Sequence, residues 1–334
     1  MKLIKENNEI NMNKPLLSIC IPTYNRAEYL DKTLNSIVSS EIFIRSNDVE
    51  IIISNNCSSD NTNEVCLKYV NKYPDKIKYI EQNTPIFADL HIFKTIEYAT
   101  GKFCKLNNDT CTFLNNSLDY IVDYLKNNQN DNFIFFNYKN DADETITKHT
   151  SFDSFIKQVS YFSTWIANFC IKKSVYNSID NPLRLYLLKL PQVDIIGRIF
   201  ENNLQVTVLE KKLFNSITPY KKGGNYNVAE VFGKNYFDIL SKFLDRNNGI
   251  TCQTFEAEKD SILEFINEFY FDKNKNYSFN KNGYLRHMLK YFKNKPNFYK
   301  KYVIIQLEKF FETKKTETHK IYKILFIKFK FKRK

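Results

Sequence analysis

Four short stretches of this chain gather side chains suited to a charged, hydroxyl-rich ligand. They are Pro22-Thr23-Tyr24-Asn25-Arg26, the run SNNCSSDNT from Ser54 to Thr62, the stretch after Ile80, and Asn107-Asn108-Asp109-Thr110. Each follows a short apolar run, and three are rich in Asn, Asp, Ser or Thr, as a sugar and phosphate site requires. Other chemistries are excluded. The seven glycines (101, 197, 223, 224, 233, 249, 283) spell neither GxGxxG nor GxxxxGK[ST], so a dinucleotide fingerprint and a Walker loop are absent. Only four histidines occur, without an HExxH. The seven cysteines form no CxxC pair, and with no signal peptide they read as reduced thiols in a cytoplasmic protein. No run of 18 apolar residues exists to span a membrane.

The elements that must carry these stretches follow from the apolar pattern. Leu16–Ile21 is a short, largely apolar run and Val49–Ile53 a second, interrupted by Ser18 and Glu50 respectively, both expected as buried parallel strands. Ile77–Ile80, Phe103–Leu106 and Phe133–Phe136 continue the series. Between them, 27–38, 62–70, 87–99 and 114–125 place apolar residues at helical spacing. Strands alternating with helices imply βαβ units, and so an α/β fold with a mostly parallel sheet flanked by helices. In such a sheet ligands bind beyond the carboxyl ends of the strands, which is where all four polar stretches fall. After residue 140 the regularity drops. Thr164–Lys172 is expected as a strand, 192–202 as a helix, 204–209 as a strand and 211–226 as a loop. The spacing predicts helices over 231–246, 254–271, 283–293 and 297–312, a helical C-terminal extension.

The motifs SICIPTYNR, IIISNNCSSDNT and ATGKFCKLNNDT, in this order and at this spacing, resemble the family 2 glycosyltransferases with the GT-A fold. Within them the abequosyltransferase-like enzymes of bacterial surface polysaccharide are most similar. The resemblance covers roughly 15–130 well and 160–240 loosely. It implies an inverting transfer from a nucleotide-diphospho-sugar, a UDP- or CDP-sugar, to a glycan or lipid-linked acceptor in lipopolysaccharide, capsule or O-antigen synthesis. It also implies Mn²⁺ or Mg²⁺. Pro22, Thr23, Tyr24 and Arg26 match the family's first nucleotide-contacting turn. Asn55 stands where the family has the acid that reads the base; an amide donates as well as accepts, so uracil and cytosine would both be tolerated. Its alternative role is to cap a turn. Asn107, Asn108 and Asp109 fall on the family's Asp-x-Asp segment. Asp109 fits the chelating acid and Asn107 keeps an oxygen without charge, which implies weaker metal binding; alternatively Asp109 is an acid before a helix. Asp89, after the third strand, matches a donor contact. The family places its catalytic base at the start of a helix in the acceptor half, which selects Asp194 in LPQVDIIGR, with Asp180 and Glu201 in reserve. Ordinary helix N-terminal charge is the alternative for Asp194.

Trp165 could stack on an acceptor sugar or sit in the core. The loop 218–227, with Gly223, Gly224, Lys221 and Lys222, resembles a lid whose cations neutralise the pyrophosphate; the alternative is a solvated hairpin. Net charge is +12, of which nine basic residues and one acid in 313–334 contribute +8, leaving +4 for the remainder. A nearly balanced body argues against nucleic acid. The tail IYKILFIKFKFKRK mixes aromatic and basic residues and suits peripheral contact at the inner face of a membrane; a disordered tail or a homodimer contact is the alternative. The expected organisation is a flexible 1–14, a catalytic domain 15–226 (donor nucleotide half 15–112, acceptor half 113–226), a helical region 227–312 and a basic tail 313–334. A sugar-nucleotide pyrophosphorylase is disfavoured by the missing Gly-rich phosphate loop. A catalytically degenerate nucleotide-sugar-binding scaffold, suggested by Asn55 and Asn107, is the remaining alternative.

Overall fold

A computed structural model describes residues 14–137, 144–217, 226–271, 280, 282–300 and 302–303, and the backbone of 313–315, 319–324 and 327–332. In chain order the elements are β1 (Leu17–Thr23), α1 (Ala27–Val38), α2 (Glu41–Arg45), β2 (Val49–Asn55), α3 (Thr62–Lys72), β3 (Ile77–Glu81), α4 (Ala88–Tyr98), β4 (Phe103–Leu106) and β5 (Cys111–Phe113). There follow α5 (Ser117–Asn127), β6 (Phe133–Asn137), β7 (Thr145–His149), α6 (Phe152–Val159), β8 (Phe169–Lys172), α7 (Lys173–Ser178), α8 (Pro191–Glu201), β9 (Val206–Glu210) and β10 (Phe214–Ser216). Then come a π-helical turn at Ala229–Asn235, α9 (Tyr236–Leu240), α10 (Cys252–Phe271), α11 (Tyr284–Phe292), β11 (Thr313–Lys315), β12 (His319–Ile324) and β13 (Ile327–Lys332).

The chain divides into two compact units, 1–222 with 238–258, and 223–237 with 259–334. The first holds an eight-stranded sheet in the order β3-β2-β1-β4-β8-β6-β9-β7. Four of its seven neighbouring pairs are parallel and three, all involving β8 or β7, are antiparallel. The expected α/β sheet is therefore present. β1 and β2 are buried along their whole length, so apolar residues fall on both faces instead of alternating, and the polar Ser18 and Glu50 are buried with them. Register places the site. Leu17 to Thr23 pair in step with Val49 to Asn55, and Cys20 pairs with Leu106. The loops after Thr23, Asn55 and Leu106 thus leave one edge together. At the opposite end the buried Glu50 accepts from Ser18 Oγ (2.6 Å) and from the Thr100 and Gly101 amides (2.6 and 3.1 Å), pinning β1, β2 and the start of β4 in that stagger. Gly101 is required there, since a Cβ would lie 2.6 Å from Ser18 Oγ and 2.8 Å from Ser18 N.

Two expectations are corrected. The strand over 164–172 is only Phe169–Lys172; Ser160–Thr164 and Ile166–Asn168 are 3₁₀ turns. Side chains, not a neighbouring strand, satisfy carbonyls there: Gln192 Nε2 donates to Thr164 O and Lys105 Nζ to Ala167 O. The helix over 231–246 is a π turn followed by α9 and a 3₁₀ turn at Ser241–Phe243. Asp245 and Asn248 adopt left-handed φ (52° and 54°) around the Asn-Asn-Gly turn and end it. Helix 297–312 is described only in part, and in that part is helical at 296–300 and 302–303. Residues 238–258 also group with the first unit and not with the rest of 227–312. Phe243 explains this: its ring lies 5.3 Å from that of Phe152 and packs on Gly197, where a Cβ would come within 2.5 Å.

In the second unit Gly233 lets the π turn approach Met288, whose Sδ would be 2.2 Å from a Cβ there. Tyr284 donates to Asn267 Oδ1 (3.0 Å). The tail backbone forms an antiparallel three-stranded sheet, β11-β12-β13. Among the described residues no helix is long and apolar enough to cross a membrane.

Candidate donor site

Asp109 is the centre of the shared edge. Thr23, at the end of β1, donates to its Oδ2 (2.9 Å), and Arg26, at the start of α1, lies 3.3 Å from its Oδ1. Thr33, in the second turn of α1, donates to its carbonyl (2.9 Å). Asp109 is only 6% exposed. Burial pushes its pKa up to about 6, against the opposing pull of Arg26 and of the Thr23 hydroxyl. A dehydrated carboxylate with one cation at 3.3 Å is under-compensated, the condition a second cation relieves. No cluster of three His, Cys, Asp or Glu exists among the described residues. Asp109 offers a single hard carboxylate donor, so a divalent ion there would take its other ligands from phosphate oxygens and water, as Mg²⁺ commonly does.

The β1–α1 turn and the β2–α3 loop are stitched together. Asn25, in a left-handed conformation (φ 51°), receives the Ser59 amide on its Oδ1 (2.7 Å), and its own amide donates to Ser58 Oγ (2.8 Å). Asp60 accepts from the Ala27 amide (3.1 Å). Pro22 is buried and Tyr24 is 53% exposed, free to face a ligand.

Asn107 is turned inward. It is fully buried; its Oδ1 accepts from Lys105 Nζ (2.9 Å) and its Nδ2 donates to the carbonyls of Asn108 (3.0 Å) and Cys111 (2.9 Å). The oxygen expected to face a ligand is here engaged by Lys105. Asn108 is partly exposed. Asn55 is likewise fully buried, accepting from the Ser58 amide (3.0 Å) and hydroxyl (2.6 Å) and donating to Tyr79 Oη (3.0 Å). It caps the turn, the alternative reading, and presents no free edge to a base. Base preference is thus expected to be the same in the wild type and Asn55→Asp, since an acid keeps both Ser58 bonds and can accept the Tyr79 proton. A panel of UDP and CDP affinities checks this.

Asp89 sits in the first turn of α4. Burial raises its pKa to about 6, opposed by Lys189, and nearby Phe87 packs 6.1 Å from Tyr186. No described contact joins Asp89 to Asp109. His91 is buried against Ser54 Oγ (2.9 Å), and burial lowers it to about 4. Asp194, in the first turn of α8, is 0% exposed. Arg184 grips it with two bonds, Nε to Oδ2 (2.9 Å) and Nη2 to Oδ1 (2.7 Å). Of the reserves, Asp180 is exposed and Glu201 accepts from Arg246 (3.0 Å). Trp165 is 47% exposed with Phe162 edge-on at 4.8 Å, so it is not a core residue. Lys221 and Lys222 lie outside the described residues.

Sequence reasoning missed Arg184, Lys105, Asn25, Ser58 and Thr33. Asn25 and Ser58 lay inside the polar motifs. Arg184 and Lys105 carried no signal, since a lone basic residue reveals nothing of its partner until the chain folds.

Residues 18–180 match the model of Glycosyl transferase family 2. The chain is 36% identical over 110 residues to abequosyltransferase RfbV of Salmonella typhimurium, covering 33% of this chain and 32% of that one. It is 31% identical over 109 residues to the GalNAc(5)-diNAcBac-PP-undecaprenol beta-1,3-glucosyltransferase of Campylobacter jejuni, covering 32% and 34%. The chain thus matches about a third of the length of these relatives. Its fold is similar to that of S. aureus TarS 1–349 in complex with UDP-GlcNAc (TM-score 0.53, 15% identity, 95% and 99% of the chains). It is also similar to mannosyltransferase PcManGT from Pyrobaculum calidifontis in complex with GDP-Man and Mn²⁺ (TM-score 0.52, 11% identity, 89% and 87%). These likenesses show a GT-A type fold.

Proposed function

We propose, from the premise that residues 18–180 are a family 2 glycosyltransferase domain, that this chain moves a sugar from a nucleotide-diphospho-sugar to a glycan or lipid-linked acceptor of bacterial surface polysaccharide. The observation that carries the reading is Asp109, dehydrated and oriented by Thr23 and Arg26 where β1, β2 and β4 end together. The donor is a UDP- or CDP-sugar, its nucleoside lying along the turn of Pro22, Thr23, Tyr24 and Arg26, with Asn108 and Asp89 at its flanks. Asp109 would hold Mn²⁺ or Mg²⁺, which when bound neutralises the departing diphosphate. The Arg26 guanidinium, 37% exposed, adds a second positive group that can turn from Asp109 toward a phosphate.

Transfer proceeds with inversion: an acceptor hydroxyl attacks the anomeric carbon from the face opposite the leaving nucleotide. Asp194 takes the proton from that hydroxyl. With Arg184 in place its carboxylate is oriented but covered, so acceptor binding must displace the guanidinium, which at 38% exposure is the more accessible partner. Trp165 offers an exposed ring for the apolar face of an acceptor sugar. A second reading, a nucleotide-sugar-binding scaffold without turnover, draws on the inward-facing Asn107 and the covered Asp194.

A thermal-shift panel of UDP-, CDP-, GDP- and dTDP-sugars with and without Mn²⁺ tests the reading. A cognate donor at a hundredfold excess over Kd stabilises by about 2.7 kcal/mol. Binding with metal-dependent release of nucleotide supports transfer; binding without release favours the scaffold; no shift with any donor overturns both.

The tail supports a station at the inner face of a membrane. Its β13 backbone carries Ile327, Phe329 and Phe331 alternating with Lys328, Lys330 and Lys332. Each basic residue near an anionic surface contributes up to about 1 kcal/mol. Deleting 313–334 is expected to abolish flotation with anionic liposomes, and added salt to weaken it in the intact chain. Unchanged flotation of the deletion variant would refute the membrane role.

A further inference from the structure

Behind the Asn107–Asp109 loop lies a charge for which the proposed chemistry has no use. Lys105, in the middle of β4, is 0% exposed. Placing an ammonium there costs several kcal/mol unless its protons are all bonded. They are: Nζ donates to Leu106 O (3.1 Å), Asn107 Oδ1 (2.9 Å) and Ala167 O (2.9 Å). On the other side the Phe214 ring centroid lies at 4.2 Å, with Phe113 at 5.3 Å and Phe136 at 5.9 Å. Among the described residues no carboxylate pairs with it. This is a cage of oxygens and rings built around one cation.

The three oxygens belong to two different parts of the site. Leu106 and Asn107 begin the donor loop. Through its amide, Asn107 passes the constraint to the carbonyls of Asn108 and Cys111, which bracket Asp109. Ala167 belongs to the 3₁₀ turn after Trp165, whose carbonyl accepts from the Asn168 amide (3.2 Å). We propose that Lys105 is a positioning residue that fastens the donor loop carrying Asp109 and the acceptor-side turn beside Trp165 to a single internal ammonium, so that occupancy of one is felt at the other. The inference rests on the donor reading above and adds a residue to it.

The protonation state of Lys105 offers a handle. Burial lowers its pKa to about 8. The titratable groups facing it are Cys20 on β1, Cys111 on β5 and Cys170 on β8, and burial pushes each of these thiols upward. From β6 and β10 it meets only the phenylalanine rings just named. As pH rises through 8 the amine retains two protons for three acceptors and the clamp weakens. Stability moves the other way, because the unfolded chain keeps this proton up to its ordinary pKa near 10.5 while the folded chain releases it, so this group's contribution rises with pH. A residue that served only stability would not separate the two.

The test uses UDP with Mg²⁺ as the probe and the fluorescence of Trp165, the chain's one tryptophan. In the wild type UDP is expected to alter Trp165 emission, and its affinity to fall as pH is raised from 7 to 9 while the melting temperature of the free protein does not. In Lys105→Met, which keeps the volume and removes the charge, affinity is expected to fall about tenfold, the loss of a charged hydrogen-bond network. Its emission response and the basic limb of its pH profile should both vanish. Wild-type affinity, emission change and pH profile in folded Lys105→Met would overturn the proposal. Should the variant fail to fold, the wild-type profile decides alone, and a flat affinity across pH 7–9 overturns it. A wild type that binds none of UDP, CDP, GDP or dTDP would instead overturn the donor reading.

Discussion

Asp109→Asn is expected to lower turnover by about 10²–10³-fold, the usual effect of removing a group that stabilises developing charge. It should also leave the free protein at least as heat-stable as the wild type. The two effects share a cause. Asp109 is nearly solvent-free and its pKa is pushed up to about 6 because burial outweighs Arg26 and Thr23. The sign of the linkage follows. The folded chain holds this proton up to about pH 6 while the unfolded chain releases it near the ordinary 3.8, so the group's contribution to stability falls as pH rises between these values. At neutral pH the ionised carboxylate is a burden on the fold. An amide of the same shape removes that burden, keeps the Thr23 hydroxyl as a donor to its oxygen, and loses the cation site. Melting curves and nucleotide-release assays on the variant, each with and without Mn²⁺, check the pair of outcomes. The Mn²⁺-dependent shift should disappear in Asp109→Asn. In the wild type it should weaken about tenfold per pH unit below 6, where proton and metal compete for the same carboxylate. A variant that keeps both its metal shift and its turnover would remove Asp109 from the chemistry.

Asp194→Asn is expected to reduce transfer by about 10²–10⁴-fold with UDP affinity unchanged, the range associated with loss of a general base. The ion pair with Arg184 makes a structural explanation the competitor, and a second variant separates them. Arg184→Met leaves the carboxylate buried without its partner, a change that typically costs about 3–5 kcal/mol when both charges are enclosed. Arg184 is 38% exposed, so the loss here is expected to be smaller. If Asp194 serves only that pair, both variants lower the melting temperature and both retain wild-type turnover per folded molecule. If it is the base, Asp194→Asn loses turnover at full folding, while Arg184→Met loses stability and keeps a measurable rate. Burst and steady-state kinetics normalised to folded protein distinguish the two.

The sheet and the location of the site were legible before folding because both depend on local pattern. Largely apolar runs such as Leu17–Ile21 and Ile51–Ile53 can be buried on both faces only within a covered parallel sheet, and the polar residues behind them must then fall at its carboxyl edge. The stretch Asn107–Thr110 was placed at that edge for this reason, while the role expected of Asp109 came from the family resemblance. Local pattern was weaker where side chains substitute for strand partners. Residues 164–168 look like strand, yet their carbonyls are met by Gln192 and Lys105. The 231–246 segment reads as one helix, yet it widens at a π turn where Gly233 admits Met288.

The direction in which a polar side chain points is another matter. Asn55 and Asn107 have the right type and position for a ligand, but both turn inward, one to Ser58 and Tyr79, the other to Lys105. Asp194 was chosen for its place at a helix start, and only the fold brings Arg184 onto it from ten residues away. A hydrogen bond is directional and short, so its partner is set by atoms that converge from distant parts of the chain. Apolar burial is non-directional and periodic, so its record is already written along the residues.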